Sequence, residues 1–229
     1  MQQASGHTLK AFDEDIERLR ALISQMGGLA EHAIEEAMRC LVQRDTEGAE
    51  RVVAEDKKLD ALEIETERRA VQLIALRAPM AGDLRDVVAA LKISGVVERI
   101  GDYAKNISKR VPQLEGAAKI EPLSLLPEMA RIATGMVHDV LDAFVERDAQ
   151  AAVRVCERDT AVDDFYDSIF RALLTHMMEN PHNIGQAAHL LFVAKNLERV
   201  GDHATNIAEM VYYAATGEHM ADRPGKSPR

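Results

Sequence analysis

Two stretches of this chain, VVERIGDYAKNI at residues 96–107 and NLERVGDHATNI at residues 196–207, share the pattern E-R-x-G-D-x-A-x-N-I at an offset of 100 positions. A second pair, QRDTEGAERVVAEDKKLDALE from Gln43 and ERDAQAAVRVCERDTAVDDFY from Glu146, matches at an offset of 103. Each copy carries the same local preferences and the same apolar pattern, so the chain folds as two versions of one unit. The repeat is far longer than a solenoid unit and occurs only twice, which predicts two similar bodies packed together rather than an extended array.

Those bodies are helical. Leu19, Leu22, Ile23, Met26, Leu29 and Ala30, then Ala33, Ile34, Ala37, Met38 and Leu41, recur at helical spacing and predict a first helix of about forty residues. No Trp, only seven Pro, and an abundance of Ala, Glu, Leu, Arg and Val complete an all-α reading. No proline precedes Pro79 and none lies between Pro127 and Pro181. Each copy therefore reads as a long helix, a turn at Arg44-Asp45 or Arg147-Asp148, a second long helix, a break at Pro79 or Pro181, and a third helix. Short connections make neighbours antiparallel, which gives two tandem antiparallel three-helix bundles. The expected boundaries are residues 1–111, a proline-punctuated linker at 112–127, residues 128–216, and a disordered tail at 217–229.

Charge narrows the function. A formal net charge of −10 argues against nucleic-acid binding, which needs a basic face, and favours cations or basic protein surfaces. There is no apolar run long enough for a bilayer and no signal-peptide core at the start, so a cytoplasmic protein is expected. Cys40 and Cys156 lack any metal or redox spacing and read as buried thiols.

Glu98 and Asp102, like Glu198 and Asp202, lie four residues apart and so share a helix face, with Cβ atoms roughly 6 Å apart. The middle helices carry a second pair each, Asp56 with Asp60 and Asp159 with Asp163. Middle and third helices are expected to be neighbours, so four carboxylates per bundle can converge, at a cost unless a cation sits among them. A solvated acidic face requires no particular spacing, yet both copies keep it, together with mid-helix glycines Gly101 and Gly201 that imply close packing. Oxygen-only sets suit Mg²⁺, Mn²⁺, Ca²⁺ or iron better than structural zinc. His203 follows Asp202 where the first copy has Tyr103, which makes an obligatory His ligand doubtful and marks where the two sites should diverge. Arg99 and Arg199 either orient the carboxylates or form surface ion pairs. Di-iron enzymes of the helical-bundle type need Glu-x-x-His pairs, and the one here, Glu179 to His182, contains Pro181. No P-loop, dinucleotide fingerprint, H-E-x-x-H or nucleophile motif occurs, so the chain reads as a non-enzyme.

MGGLAEHAIEEAM, DLRDVVAALKISGVVERIGDYAKNI, MVHDVLDAFVERD and NLERVGDHATNIAEMVYYAATG together resemble the PhoU family of phosphate-transport and phosphate-signalling regulators, over nearly the whole chain. The resemblance implies tandem three-helix bundles, homodimerisation, and metal ions, as iron or zinc clusters, at paired E/D-x-x-x-D motifs. Those motifs fall on Asp56, Asp60, Glu98 and Asp102 in the first bundle and on Asp159, Asp163, Glu198 and Asp202 in the second. It further implies negative regulation of the phosphate-starvation response through contact with a phosphate ABC transporter, including its ATPase, and a sensor histidine kinase. Asp83, Arg85 and Asp86 correspond to Asn183, Gly185 and Gln186, so the bundles are not equivalent and one is open to weaker metal binding. The competing readings are a metal-storage or metalloenzyme bundle and a purely structural helical scaffold.

Overall fold

Each half begins with a long helix that stops at an Arg-Asp pair, and the stop has the same cause twice. Arg44 and Arg147 adopt left-handed backbone conformations, with φ of 62° and 57°. The amides of Asp45 and Asp148 then donate back to the carbonyls of Cys40 (3.0 Å) and Ala143 (2.9 Å), which closes the helix end. The same aspartates start the next helix. Asp45 accepts from the Gly48 amide at 2.8 Å, and Asp148 accepts from the amides of Gln150 (2.8 Å) and Ala151 (2.9 Å). One residue pair thus ends a helix, caps its successor and turns the chain back on itself.

The computed structural model describes residues 2–116 and 120–220. Among them are seven α-helices: α1 (Gln2–Gln43), α2 (Thr46–Glu55), α3 (Lys57–Arg77), α4 (Gly82–Ser108), α5 (Leu126–Glu146), α6 (Ala149–Glu179) and α7 (Ile184–Thr216). No strand occurs among the described residues, 90% of which are helical. The first helix runs 42 residues, as its apolar stripe predicts. The single middle helix expected in each half is continuous in the second, as α6, but interrupted in the first at Asp56 between α2 and α3. There the amides of Leu59 and Asp60 both donate to the Asp56 carbonyl, at 2.9 and 3.3 Å, so one turn is tightened.

Four helices form a closed inner ring: α1 packs on α4, α4 on α7, α7 on α5, and α5 on α1. The outer helices lie against this ring, α3 on α1 and α4, α6 on α5 and α7. The two bundles therefore share one hydrophobic core. Ile93, Val97, Ile100, Ala104 and Ile107, the face expected to be apolar, are fully buried. Val96 and Ala89 are buried as well, because α4 is covered by helices on several sides. Each fully buried aliphatic side chain contributes about 1.5–3 kcal/mol relative to exposure. The linker joins this core too: Leu114, Ile120 and Leu123 are buried, as is Val111 just before it.

Polar links tie the halves at a further point. Asp86 of α4 is buried and accepts from Arg20 of α1, while Arg147 of the second half lies 3.3 Å away. Arg85 donates to the Ala214 carbonyl at 3.4 Å, near the C-terminus of α7, where a cation complements the helix dipole. Arg85 and Asp86, absent from the second copy, are thus joints between copies. Gly217, with φ of 80°, ends α7, and Met220 lies 3.8 Å from the buried thiol of Cys156. The rest of the expected tail, 221–229, lies outside the described residues. No helix among the described residues is long and apolar enough to cross a membrane.

Ile100 is fully buried in the shared core. Ile100→Ala should lower the unfolding free energy by about 3 kcal/mol, read by urea titration, through lost burial and a residual cavity. A loss below about 1 kcal/mol would contradict a core shared at this position.

Candidate functional site

The candidate residues lie where an outer helix crosses an inner one: between α2/α3 and α4 in the first half, and between α6 and α7 in the second. Gly101 and Gly201 lie at these crossings with little room beside them. A Cβ on Gly101 would stand 2.3 Å from Leu59 Cδ2 and 3.7 Å from Asp56 Oδ1, and one on Gly201 would stand 3.1 Å from Asp159 Oδ1. The space a side chain would take is filled at Gly101 by the tip of Leu59 and at Gly201 by the Asp159 carboxylate and Val162, so a larger residue at either place would have to push those side chains aside.

In the first half Asp56, at the joint of α2 and α3, turns a largely buried carboxylate toward α4. Lys105 of α4 bridges the helices, its Nζ 2.5 Å from Asp56 Oδ2 and 3.1 Å from Asp102 Oδ1. Glu98 is pushed up to about 7, first by burial and then by the charges of Asp102, Glu63, Asp60 and Asp56. The other three sequence-predicted carboxylates of this half thus all act on Glu98, and Glu63 joins them. Glu63 is raised as well, by burial and by Glu67 and Asp60. Its Oε1 stands 3.2 Å from where a Cβ on Gly95 would be, so it faces α4. Sequence reasoning missed Glu63 and Lys105. The signal for both was in the repeat itself, where Tyr166 and Thr205 occupy the corresponding places.

In the second half Asp159 and Glu198 are buried, and Asp163 and Asp202 are half-buried. Glu198 is paired with Lys195 on its own helix. Lys195 also lies 5.3 Å over the ring of Tyr166. Arg99 and Arg199 are exposed, and the Arg199 guanidinium stands 6.0 Å from the Tyr103 ring centroid across the contact between halves.

Tyr103 and His203 do not occupy separate sites. Their positions are related by the duplication, and they meet where α4 packs on α7, with Tyr103 Oη 3.1 Å from His203 Nε2. Burial, then Arg99 and Arg199, hold the imidazole below its usual range, while Asp202 opposes them. His203 Nδ1 is buried with no hydrogen-bond partner among the described residues. The residue is a contact between halves.

A metal fits the chemistry of these donors, because each half supplies only carboxylate oxygens from two helices, in surroundings where their mutual repulsion is already felt at Glu98. As the side chains lie, no three His, Cys, Asp or Glu groups among the described residues stand close enough together to hold an ion. In the first half the cation between the helices is Lys105.

The repulsion has a pH signature in metal-free protein. The folded-state pKa of Glu98, about 7, lies above its ordinary 4.5, so its charged form opposes folding above pH 7 and the penalty fades as pH falls toward 4.5. Glu98→Gln should raise the melting temperature at pH 8 and leave it nearly unchanged at pH 4.5, measured as thermal melts across that range. An equal shift at both pH values would show that the residue's charge is not the cause.

Comparison with known proteins identifies this architecture. The family model described as the PhoU domain matches twice, over residues 23–111 and 126–211. The chain is 55% identical over 225 residues to a phosphate-specific transport system accessory protein PhoU homolog of Zymomonas mobilis, covering 97% of this chain and 95% of that one. It is 48% identical over 221 residues to the protein of the same description from Caulobacter vibrioides, covering 96% of each. The crystal structure of PhoU from Pseudomonas aeruginosa superposes with a TM-score of 0.86 at 34% identity, covering 90% of this chain and 100% of that one. The phosphate transport system regulatory protein PhoU of Streptococcus pneumoniae gives 0.85 at 27% identity, covering 92% and 99%. Two matched domains that span most of the chain, with relatives of the same length and the same helical arrangement, place it in the PhoU family.

Proposed function

We propose that this protein is a cytoplasmic accessory regulator of phosphate uptake, a negative regulator of the phosphate-starvation response that works by contact rather than catalysis. Its partners in this reading are the ATPase of a phosphate ABC transporter and a sensor histidine kinase, and its working form is a homodimer. The observation that carries the reading is end-to-end similarity to proteins described as accessory to phosphate-specific transport.

Exposed apolar side chains support action by contact. Phe170, Leu174 and Met178 follow one face of α6 near its end, and Ile184 and Phe192 are exposed on α7. Leu76, Met80 and Leu84 are exposed at the matching end of the first half. Surfaces of this kind are what protein partners cover.

Metal binding is the second part of the proposal. Asp56, Asp60, Glu98 and Asp102 would hold iron, zinc, manganese or magnesium in the first half, and Asp159, Asp163, Glu198 and Asp202 in the second. A bound cation would supply neutralising charge and a bridge from the outer helix to α4 or α7. Elemental analysis should find metal in the wild-type protein and little in a variant with all eight carboxylates changed to amides. Equal metal in both would remove the metal sites from the proposal.

The regulatory role has its own test. Deleting the protein should derepress phosphate uptake in phosphate-replete cells, measured with radiolabelled phosphate, and re-expression should restore repression. Normal repression in the deletion strain would rule the role out.

A further inference from the structure

We infer that Lys105 is a built-in counter-ion of the first bundle, so that a divalent cation enters its carboxylate cluster only by displacing the lysine ammonium. The inference rests on the metal reading given above. Lys105 Nζ touches carboxylates from two elements, Asp56 at the α2/α3 joint and Asp102 on α4. Those two come from the outer and inner helices that a shared cation would have to join. The lysine therefore already performs the electrostatic part of a bridging ion's task.

The ion pairing is partly desolvated, with side-chain exposures of 6% for Asp56 and 27% for Lys105. Attraction there is several-fold stronger than in bulk water. An ammonium is a point charge on a flexible four-carbon stem, so it can leave for solvent without moving the backbone. Lysine occupies the cluster until something of higher charge density replaces it.

The second bundle is neutralised differently, and the duplication makes the comparison direct. Thr205 stands where Lys105 does, and its hydroxyl donates to the Asp202 carbonyl at 2.8 Å, bringing no charge. The lysine of that half, Lys195, occupies the place of Gly95 and pairs with Glu198 three residues along its own helix. Its side chain is 41% exposed, and it rests over Tyr166, the counterpart of Glu63. The two copies have thus exchanged Glu63, Gly95 and Lys105 for Tyr166, Lys195 and Thr205. In the first, a lysine spans the helices through two carboxylates; in the second, a lysine pairs along one helix.

The test uses the full chain with one cluster silenced at a time, and Mn²⁺ as probe, its free concentration read by electron paramagnetic resonance. In the background D159N/D163N/E198Q/D202N only the first cluster remains. There Lys105→Thr and Lys105→Met should each raise Mn²⁺ affinity about tenfold or more, the effect of removing one competing charge at a few ångströms. Lys105→Arg keeps the charge and should keep the low affinity. In the reciprocal background D56N/D60N/E98Q/D102N the same Lys105 changes should leave Mn²⁺ affinity unchanged.

Circular dichroism melts with and without Mn²⁺ accompany each variant, because an ion that binds the native state must raise its melting temperature. A first cluster that binds Mn²⁺ equally well with and without Lys105, in folded protein, overturns the inference and leaves the metal reading standing. No Mn²⁺ binding in either background, with or without Lys105, overturns the metal reading and the inference with it.

Discussion

Helices α4 and α7 meet along faces that must also hold each half together, and Tyr103 and His203 lie in that contact with their polar atoms 3.1 Å apart. Both helices are buried on more than one side, so the alternation of a single amphipathic stripe is not enough for them. Ala89 and Val96 of α4 are buried beside the expected stripe of Ile93, Val97, Ile100 and Ile107. With α1 and α5 closing the ring, the inner four helices form a core that neither half could complete alone. The outer helices then have one place to lie, and that place puts their acidic faces against α4 and α7.

This arrangement brings like charges together where water is partly excluded. Glu98 registers the result, with burial and four neighbouring carboxylates acting in the same direction. A helix bundle with no use for that repulsion would place these acids outward, where they are well solvated. The close approach at Gly101, the interrupted helix at Asp56 and the bridging ammonium of Lys105 all occur at the same crossing. Local irregularity concentrates there, as it does at functional sites in otherwise regular folds. The corresponding crossing in the second half keeps a continuous α6 and a different lysine.

The duplication was legible at the level of elements because turn chemistry and apolar spacing are local. Arg44-Asp45 and Arg147-Asp148 announced a turn, and both form one through a left-handed arginine and a capping aspartate. The apolar run from Leu19 to Leu41 announced a long helix, and α1 is one. What the repeat concealed lay in its departures from symmetry. Arg85 and Asp86 looked like differences between two sites, yet they join one half to the other. Tyr103 and His203 looked like points of divergence, yet they face each other. A residue that breaks the symmetry of a duplicated chain is free to serve the contact between copies, and spacing alone does not reveal which contact that is.

Taken alone, the sequence determined the local terms of the architecture: helices, their ends, their antiparallel order, the repetition, and the pairing of carboxylates four apart on one face, all consequences of interactions within a few residues along the chain. Only the tertiary structure decided that the four inner helices close into one ring, that Asp86 and Arg147 meet, and that an ammonium from Lys105 stands between Asp56 and Asp102. The physical reason is that the deciding contacts, Lys105 with Asp56 and Arg147 with Asp86, join residues tens of positions apart. Their geometry follows from how whole helices pack, and no local preference encodes it.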